Sequence, residues 1–271
     1  MKSALAALLV AVLLVPSAYA KDDYHGLPPA GAAAQGASKI AVCAACHGAN
    51  GIGMSPLYPN LAGQKYNYIL KQLENFRSGA RKSSIMSGMA MTIAPSPHHA
   101  NLKDIAAYFS QLKPMSAYPA APGTPAADPA QLALGKVIYA RGVVADNIPA
   151  CAACHGLGGE GNGPMAIPAL AGQHAAYVVK QLQQFASGAR ANSPGHVMHT
   201  IARAMSAAQE SAVAAYLQQL NPDSTLGLGP KDFTHYAQTL AAPGAASDGN
   251  GNGSGQSKPA APSGAASTTA H

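Results

Sequence analysis

One five-residue word is written twice in this chain, as Cys43-Ala44-Ala45-Cys46-His47 and as Cys151-Ala152-Ala153-Cys154-His155, and it uses all four cysteines. Cys-x-x-Cys-His is the attachment signature of c-type haem. Two thiols three positions apart on a helical turn can each add to one of the two vinyl groups on a porphyrin edge. The histidine that follows then lies under the ring and offers an imidazole nitrogen to the iron. A zinc ribbon would draw both cysteine pairs into one tetrahedral site, yet each pair has its own histidine and more than a hundred residues separate the two. A redox disulfide of the thioredoxin kind would sit in a βαβ pattern, and no such pattern is visible. The words therefore predict two haems, held through Cys43, Cys46, Cys151 and Cys154, with His47 and His155 as proximal ligands.

The first residues read as an address. Lys2 gives a positive start, residues 4–15 are an apolar run, and Ala18-Tyr19-Ala20 fits the small-x-small rule for cleavage. Residues 1–20 are thus expected to be a signal peptide, leaving an exported chain that starts at Lys21. The apolar run is short for a membrane span and ends at Pro16, and Pro and Gly elsewhere leave no stable span after cleavage. Export suits the cysteines, because haem is attached to such words outside the cytoplasm. Charged residues make up only 10 % of the chain, with a formal net charge of +6. Haem propionates would offset much of that excess. With no Lys/Arg run and no interleaving of aromatic with basic residues, nucleic acid is not an expected partner. The basic side chains could instead form a docking face for acidic partners.

The repeat extends well beyond the two words. Leu61-Ala62-Gly63-Gln64 recurs as Leu170-Ala171-Gly172-Gln173, and Lys71-Gln72-Leu73 as Lys180-Gln181-Leu182. Phe76 with Ser78-Gly79-Ala80-Arg81 recurs as Phe185 with Ser187-Gly188-Ala189-Arg190, and Ala106-Ala107-Tyr108 as Ala214-Ala215-Tyr216. Two lobes carry one plan, which a duplication would produce. The pattern divides the chain into a first domain over 21–113, a Pro-rich linker over 114–129, a second domain over 130–222 and a Gly/Ala/Ser/Pro-rich tail over 223–271. The tail cannot bury enough to order itself, although 231–240 could form one short helix.

Inside each lobe the periodicity is helical. Tyr66, Ile69, Leu70, Leu73 and Phe76 follow the i, i+3, i+4, i+7 rule, as do Val178, Leu182 and Phe185. Leu102, Ile105, Phe109 and Leu112 mark a last helix, with Val213, Leu217 and Leu220 as its counterpart. Ser206 and Gln209 predict a capping box at the start of that counterpart. Further helices are expected to lead into each word from about Ala32 and Gln131. No stretch alternates as a strand would. The Gly-rich runs 48–53 and 156–163 read as tight loops around haem, since no Gly-Lys-Ser/Thr follows either to make a phosphate cradle.

The second axial position of each iron decides the chemistry: a Met thioether raises the potential and closes the iron, whereas an open site favours substrates. Each lobe offers methionines between its middle and last helices. Met86 and Met198 are the favoured ligands by position, with Met89 and Met91 competing with Met86 and Met205 with Met198. Met54, Met115 and Met165 read as core filling. Histidines 196 and 199 flank Met198, and His98 and His99 follow Met91; they are alternative ligands or solvated loop residues. His25, His174, His235 and His271 attract no role. Pro59 and Pro168 stand two positions before each Leu-Ala-Gly-Gln block, where their carbonyls could accept the other ring N–H of His47 and His155. Turn formation would explain these prolines equally well.

Taken together, these residues resemble the dihaem cytochrome c4 family. The likeness rests on the paired words, Pro59-Asn60-Leu61 and Pro168-Ala169-Leu170 with the blocks they open, the Lys-Gln-Leu…Phe helix and the Ala-Ala-Tyr helix, and covers roughly residues 32–222. It implies an all-α fold of two tandem class I cytochrome c domains, each wrapped around one covalent haem. It also implies Met ligation at Met86 and Met198, and a periplasmic electron carrier of a respiratory chain, often serving a terminal oxidase. The redox partners so implied are a terminal oxidase, a quinol-oxidising complex or a dehydrogenase. One alternative is a haem subunit docked on a periplasmic dehydrogenase or reductase; another is a dihaem redox enzyme, which would need one open iron. The sequence departs from the family pattern at Ala94-Pro95-Ser96-Pro97-His98-His99, where a Leu-Ser-Asp-type lead into the last helix is usual, and in its long tail.

Overall fold

The computed structural model describes residues 26–114 and 127–221. The expected signal peptide, most of the linker, Met115, Pro222, the tail with its short helix, and His25, His235 and His271 lie outside the described residues. Within them the chain is helical and contains no strand; two isolated antiparallel bridges, Val143 with Ile148 and Asn162 with Ile167, are its only β pairings. The first lobe consists of α1 (Ala32–Ala37), α2 (Ala41–His47), α3 (Tyr66–Ser78), α4 (Met86–Thr92) and α5 (Ala100–Gln111). The second repeats it as α6 (Pro129–Arg141), α7 (Ala152–His155), α8 (Ala175–Ala186), α9 (Val197–Ala204) and α10 (Ala207–Gln219).

The apolar stripes are the cores. Tyr66, Ile69, Leu70 and Leu73 of α3 pack with Leu102, Ile105 and Phe109 of α5; Val178, Leu182 and Phe185 of α8 pack with Val213 and Leu217 of α10. In both lobes the first helix crosses the last so closely that only glycine fits at the crossing. A Cβ on Gly36 would stand 2.2 Å from the Asp104 carbonyl oxygen, and one on Gly135 would stand 2.0 Å from that of Ala212. The buried Asp104 carboxylate also receives the Lys39 ammonium, tying α5 to the chain just after α1.

Helices lead towards each word from near the expected starts, α1 from Ala32 and α6 from Pro129, but both are interrupted before the word. In the first lobe a turn separates α1 from α2. In the second, α6 stops at Arg141, because Gly142 (φ 73°) turns the chain so tightly that a Cβ there would stand 2.1 Å from the Ile148 carbonyl oxygen. The start of α6 is fixed by Asp128, whose carboxylate accepts the Ala130 N–H at 3.1 Å, with Pro129 at the first helical position. The predicted capping box of Ser206 and Gln209 is formed at α10.

The two lobes meet across a seam built from the repeat itself. Gln64 of the first lobe accepts the Ala169 N–H at 2.8 Å and donates to the Ala169 carbonyl at 3.0 Å. Its counterpart Gln173 accepts the Asn60 N–H at 2.9 Å and donates to the Asn60 carbonyl at 3.1 Å. Asn60 and Ala169 are themselves counterparts, so each lobe grips the other with the same carboxamide in a two-fold exchange. Beside it, the Arg81 guanidinium donates to Gln72 of its own lobe (2.8 Å) and to Gln181 (2.7 Å) and Tyr177 (3.2 Å) of the other. Arg190 mirrors this with Gln181 (2.8 Å), Gln72 (3.2 Å) and Tyr68 (3.0 Å).

Candidate haem sites

Each word closes a helix, α2 or α7, and leaves its histidine at the last turn. His47 and His155 are only 6 % and 8 % exposed. Their Nδ1 atoms each lie 2.9 Å from a proline carbonyl oxygen, that of Pro59 for His47 and that of Pro168 for His155. A carbonyl only accepts, so Nδ1 carries the proton and the Nε2 lone pair is left for a metal. Burial pushes both imidazoles below their ordinary pKa, and the carbonyl bond only partly offsets it. The rings are therefore held neutral, the form that ligates iron.

The prolines are fixed by the Leu-Ala-Gly-Gln blocks. The Gly51 carbonyl accepts the N–H groups of Leu61 and Ala62 at 2.7 and 3.0 Å, and that of Gly159 accepts those of Leu170 and Ala171 at 2.7 and 3.1 Å. Gly63 and Gly172 then donate to Phe109 and Leu217 on the last helices at 3.0 and 2.9 Å. Carbonyl, loop and last helix thus form one chain of contacts ending at the imidazole. Tyrosines pin the residues just after each word: Tyr108 donates to the Ala49 carbonyl (2.8 Å) and Tyr139 to that of Gly156 (2.6 Å).

No disulfide joins the four cysteines; Cys43, Cys46 and Cys151 are half-buried and Cys154 is exposed. Burial raises the Cys43 thiol, and lifts that of Cys151 to about 11, so these sulfurs are protonated and free for thioether bonds. Among the described residues no three His, Cys, Asp or Glu side chains are grouped to hold a metal ion, as a shared zinc site would need. The donor set fits haem c: paired thiols, then a neutral imidazole whose tautomer is already chosen.

The candidate methionines Met86 and Met198 stand on short helices, α4 and α9, rather than in loops. Met86 opens α4, its N–H bonded to Ser83 Oγ at 3.0 Å, and packs against the first core. Met89 and Met91 face outward, 37 % and 67 % exposed. Met198 lies in the first turn of α9, its N–H 3.3 Å from Ser193 Oγ, and packs against the second core, as does Met205 at the end of that helix. Three of the four rival histidines stand at the surface. His98, His99 and His196 are exposed at positive φ, and Nδ1 of His199 contacts the Phe185 carbonyl at 2.6 Å. Met54 and Met165, expected in the core, are 73 % and 62 % exposed. Both lie on the turns of the loop between word and proline, where the backbone bonds leave side chains facing out.

Three features were not assigned from sequence. The carboxamides Gln64 and Gln173 recur in the repeated blocks with no task visible in sequence, and Tyr68 and Tyr177 occupy matching positions, each one residue before a member of an apolar stripe. His174, given no role, is 1 % exposed, its Nε2 3.2 Å from where a Cβ on Gly53 of the other lobe would stand. Pairing of the repeated polar residues across a two-fold seam was the signal available.

Fold and sites together define a protein of two joined c-type haem lobes. Comparison with known proteins agrees. The cytochrome c family model matches residues 33–113 and 132–221. Cytochrome c4 of Azotobacter vinelandii is 41 % identical over 202 residues, 71 % of this chain and 90 % of that protein. The crystal structure of reduced recombinant cytochrome c4 from Pseudomonas stutzeri superposes with a TM-score of 0.63 at 37 % identity, covering 70 % of this chain and 98 % of that one. A thiosulfate dehydrogenase electron acceptor of Thiomonas intermedia is 41 % identical over 189 residues, 68 % of this chain and 82 % of that protein. The chain belongs to the dihaem cytochrome c4 family: it is an electron carrier holding two covalent haem c groups.

Proposed function

We propose that the protein shuttles electrons in the periplasm towards a terminal oxidase, with Cys43, Cys46, His47 and Met86 holding one haem and Cys151, Cys154, His155 and Met198 the other. The observation that carries this reading is the duplicated 2.9 Å contact of a buried, neutral imidazole with a proline carbonyl. Bound haem supplies one-electron iron chemistry; the chain's work is to hold ligands, exclude water and set the potential. Pro59 and Pro168 hold the imidazole planes, and the Tyr108 and Tyr139 hydroxyls keep the adjoining loops closed. Arg81 and Arg190, 7 % and 6 % exposed, face no carboxylate among the described residues. A buried guanidinium without an anion is costly, and haem propionates are the counter-charge that suits them. Domain limits of 21–113 and 130–222, with export directed by residues 1–20, complete this reading. No helix among the described residues is long and apolar enough to cross a membrane.

The test is spectroscopic. Oxidised holoprotein should show the weak sulfur-to-iron band at the red end for both haems, and reduced protein should not take up carbon monoxide readily. Met86→Ala and Met198→Ala should each remove about half of that band. Each should lower one potential by a large step within the roughly 0.8 V that axial ligands span. Rapid carbon monoxide uptake by the unsubstituted protein would show an open iron and end the shuttle reading. The similarity to a thiosulfate dehydrogenase electron acceptor favours one second reading, a haem subunit serving a periplasmic dehydrogenase; co-purification with a catalytic chain would select it.

A further inference from the structure

The duplication is faithful in its cores and seam but not in its charge. Residues 26–114 contain eight Lys and Arg against two Asp and Glu, whereas residues 127–221 contain five against four. Most of the difference arises at matched positions. Lys65, Arg77, Lys82, Lys103 and Lys113 of the first lobe stand where the second has His174, Ala186, Ala191, Ser211 and Asn221. One haem per lobe, each with two propionates, lowers both sums equally and leaves the contrast intact.

Little of the first lobe's excess is used internally. Among its basic residues Arg81 belongs to the seam and Lys39 to Asp104, while Lys82 and Lys113 are exposed and Lys65, Arg77 and Lys103 half-buried. Glu74 lies 3.8 Å from His99, so of the two carboxylates in this lobe only this one is not already held by a lysine. Large apolar side chains are exposed on both lobes, seven on the first and four on the second among the described residues. They include Val42, Met54, Leu57 and Met91 on the first, and Leu157, Met165 and Val197 on the second. Each lobe thus exposes apolar side chains close in sequence to its haem word, Val42 and Met54 on the first and Leu157 on the second, and only the first lobe combines them with a large excess of positive charge. Apolar contact with a charged margin is the anatomy of a transient protein interface, and a one-sided field steers the encounter. Nucleic acid is a poor fit, for there is no basic run with interleaved aromatics.

We propose that the first lobe is the docking lobe, and that its occupant is a redox protein presenting an acidic face around its own electron port. The inference rests on the carrier reading only in requiring such an exchange. The first haem is then the port through which that partner exchanges electrons, one per encounter.

Stopped-flow oxidation of reduced full-length holoprotein by an acidic blue-copper protein tests this, one electron passing from the haem protein to reduce cupric to cuprous copper. Two double variants are compared, Lys82→Glu with Lys103→Glu, and Lys180→Glu with Arg203→Glu. At low salt the first pair should slow the second-order rate by about tenfold or more, within the range that steering commands. The second pair should change it less than about twofold, and the contrast should vanish at high salt. Unchanged melting and haem absorption show that each variant is folded. Oxidation of the same samples by ferricyanide checks the carrier reading separately, since it requires electron release but no acidic docking face. Equal slowing by both pairs, or by neither, overturns the docking assignment. Loss of binding to anionic lipid vesicles in the first pair, with an unchanged electron-transfer rate, overturns it too by giving the face to a membrane.

Discussion

The lobes differ most where the chain runs into the last helix. In the second, Ser206 caps α10 in a reciprocal box with Gln209, and Gln209 also reaches Asp146 at 2.7 Å. In the first, the residues 94–99 turn through Pro97 and two histidines at positive φ before α5 begins with no side-chain cap at its first position. Ser96 supplies a substitute from farther back, accepting the Asn101 N–H at 2.9 Å, while the Asn101 side chain donates to the Ala94 carbonyl. The contacts that reach the imidazole and the paired grips of the seam are kept in both copies: the proline carbonyl, the Gly51 and Gly159 acceptors, the carboxamides and the arginines. Haem geometry and lobe pairing thus constrain the loop before α3 and α8 closely, whereas the lead into α5 and α10 needs only some donor satisfied.

The largest effect that should sharpen this comparison lies in the seam. Gln173→Ala would leave the buried N–H and carbonyl of Asn60 without partners, at about 1–3 kcal/mol for each stranded group. We expect a loss of about 2–4 kcal/mol in chemical denaturation of the holoprotein. Gln64→Ala removes the same two bonds from a half-buried setting where water can replace them, so its loss should be about half as large. Equal losses would show that the two grips are equivalent, and that the extra bonds of Asn60 to Gly53 and Gly172 (both 2.8 Å) do not make the first-lobe loop more dependent on its neighbour.

A smaller effect separates the two last helices. Ser206→Ala removes a cap worth about 1 kcal/mol, about 2–4 °C in melting temperature for a chain of this size. Ser96→Ala should cost about half that, since it breaks one bond outside a capping box. A larger loss at Ser96 would mean that the proline-rich turn, and not α10, is the more strained start.

Much of this was legible from sequence because helices and haem words leave periodic or spaced signals. The stripes on α3, α5, α8 and α10 predicted the cores, and the Pro-x-Leu-Ala-Gly-Gln spacing placed both carbonyls opposite their histidines. Less legible were contacts that depend on how two copies face each other. Gln64 and Gln173 look like surface carboxamides until each is seen to meet the partner's Asn60 or Ala169. Gly36 and Gly135 look like helix-weakening residues until another backbone is found 2 Å from their missing Cβ. Met54 and Met165 misled in the opposite direction, since side-chain type suggested burial while the turns that carry them face outward.

The smallest effect, absent at neutral pH, falls at a seam position where the copies differ in a titratable side chain. Lys65 stays half-buried, but His174 is enclosed against Gly53 of the first lobe. Burial pushes its imidazole below the ordinary value near 6.5, and a hydrogen bond to the Gly53 backbone opposes that shift in part. An unfolded chain therefore binds a proton at His174 at a pH where the folded chain does not. Stability contributed by this side chain is complete above about pH 6.5 and is lost as pH falls through the folded-state value. Melting temperature should drop more steeply with acidity in the parent protein than in His174→Gln, which keeps a polar side chain without the proton uptake. The two should converge near neutrality. Parallel curves would place the acid sensitivity elsewhere and remove position 174 from the list of differences that matter; a steeper curve for the glutamine variant would show that the imidazole gains, rather than loses, a favourable contact when charged.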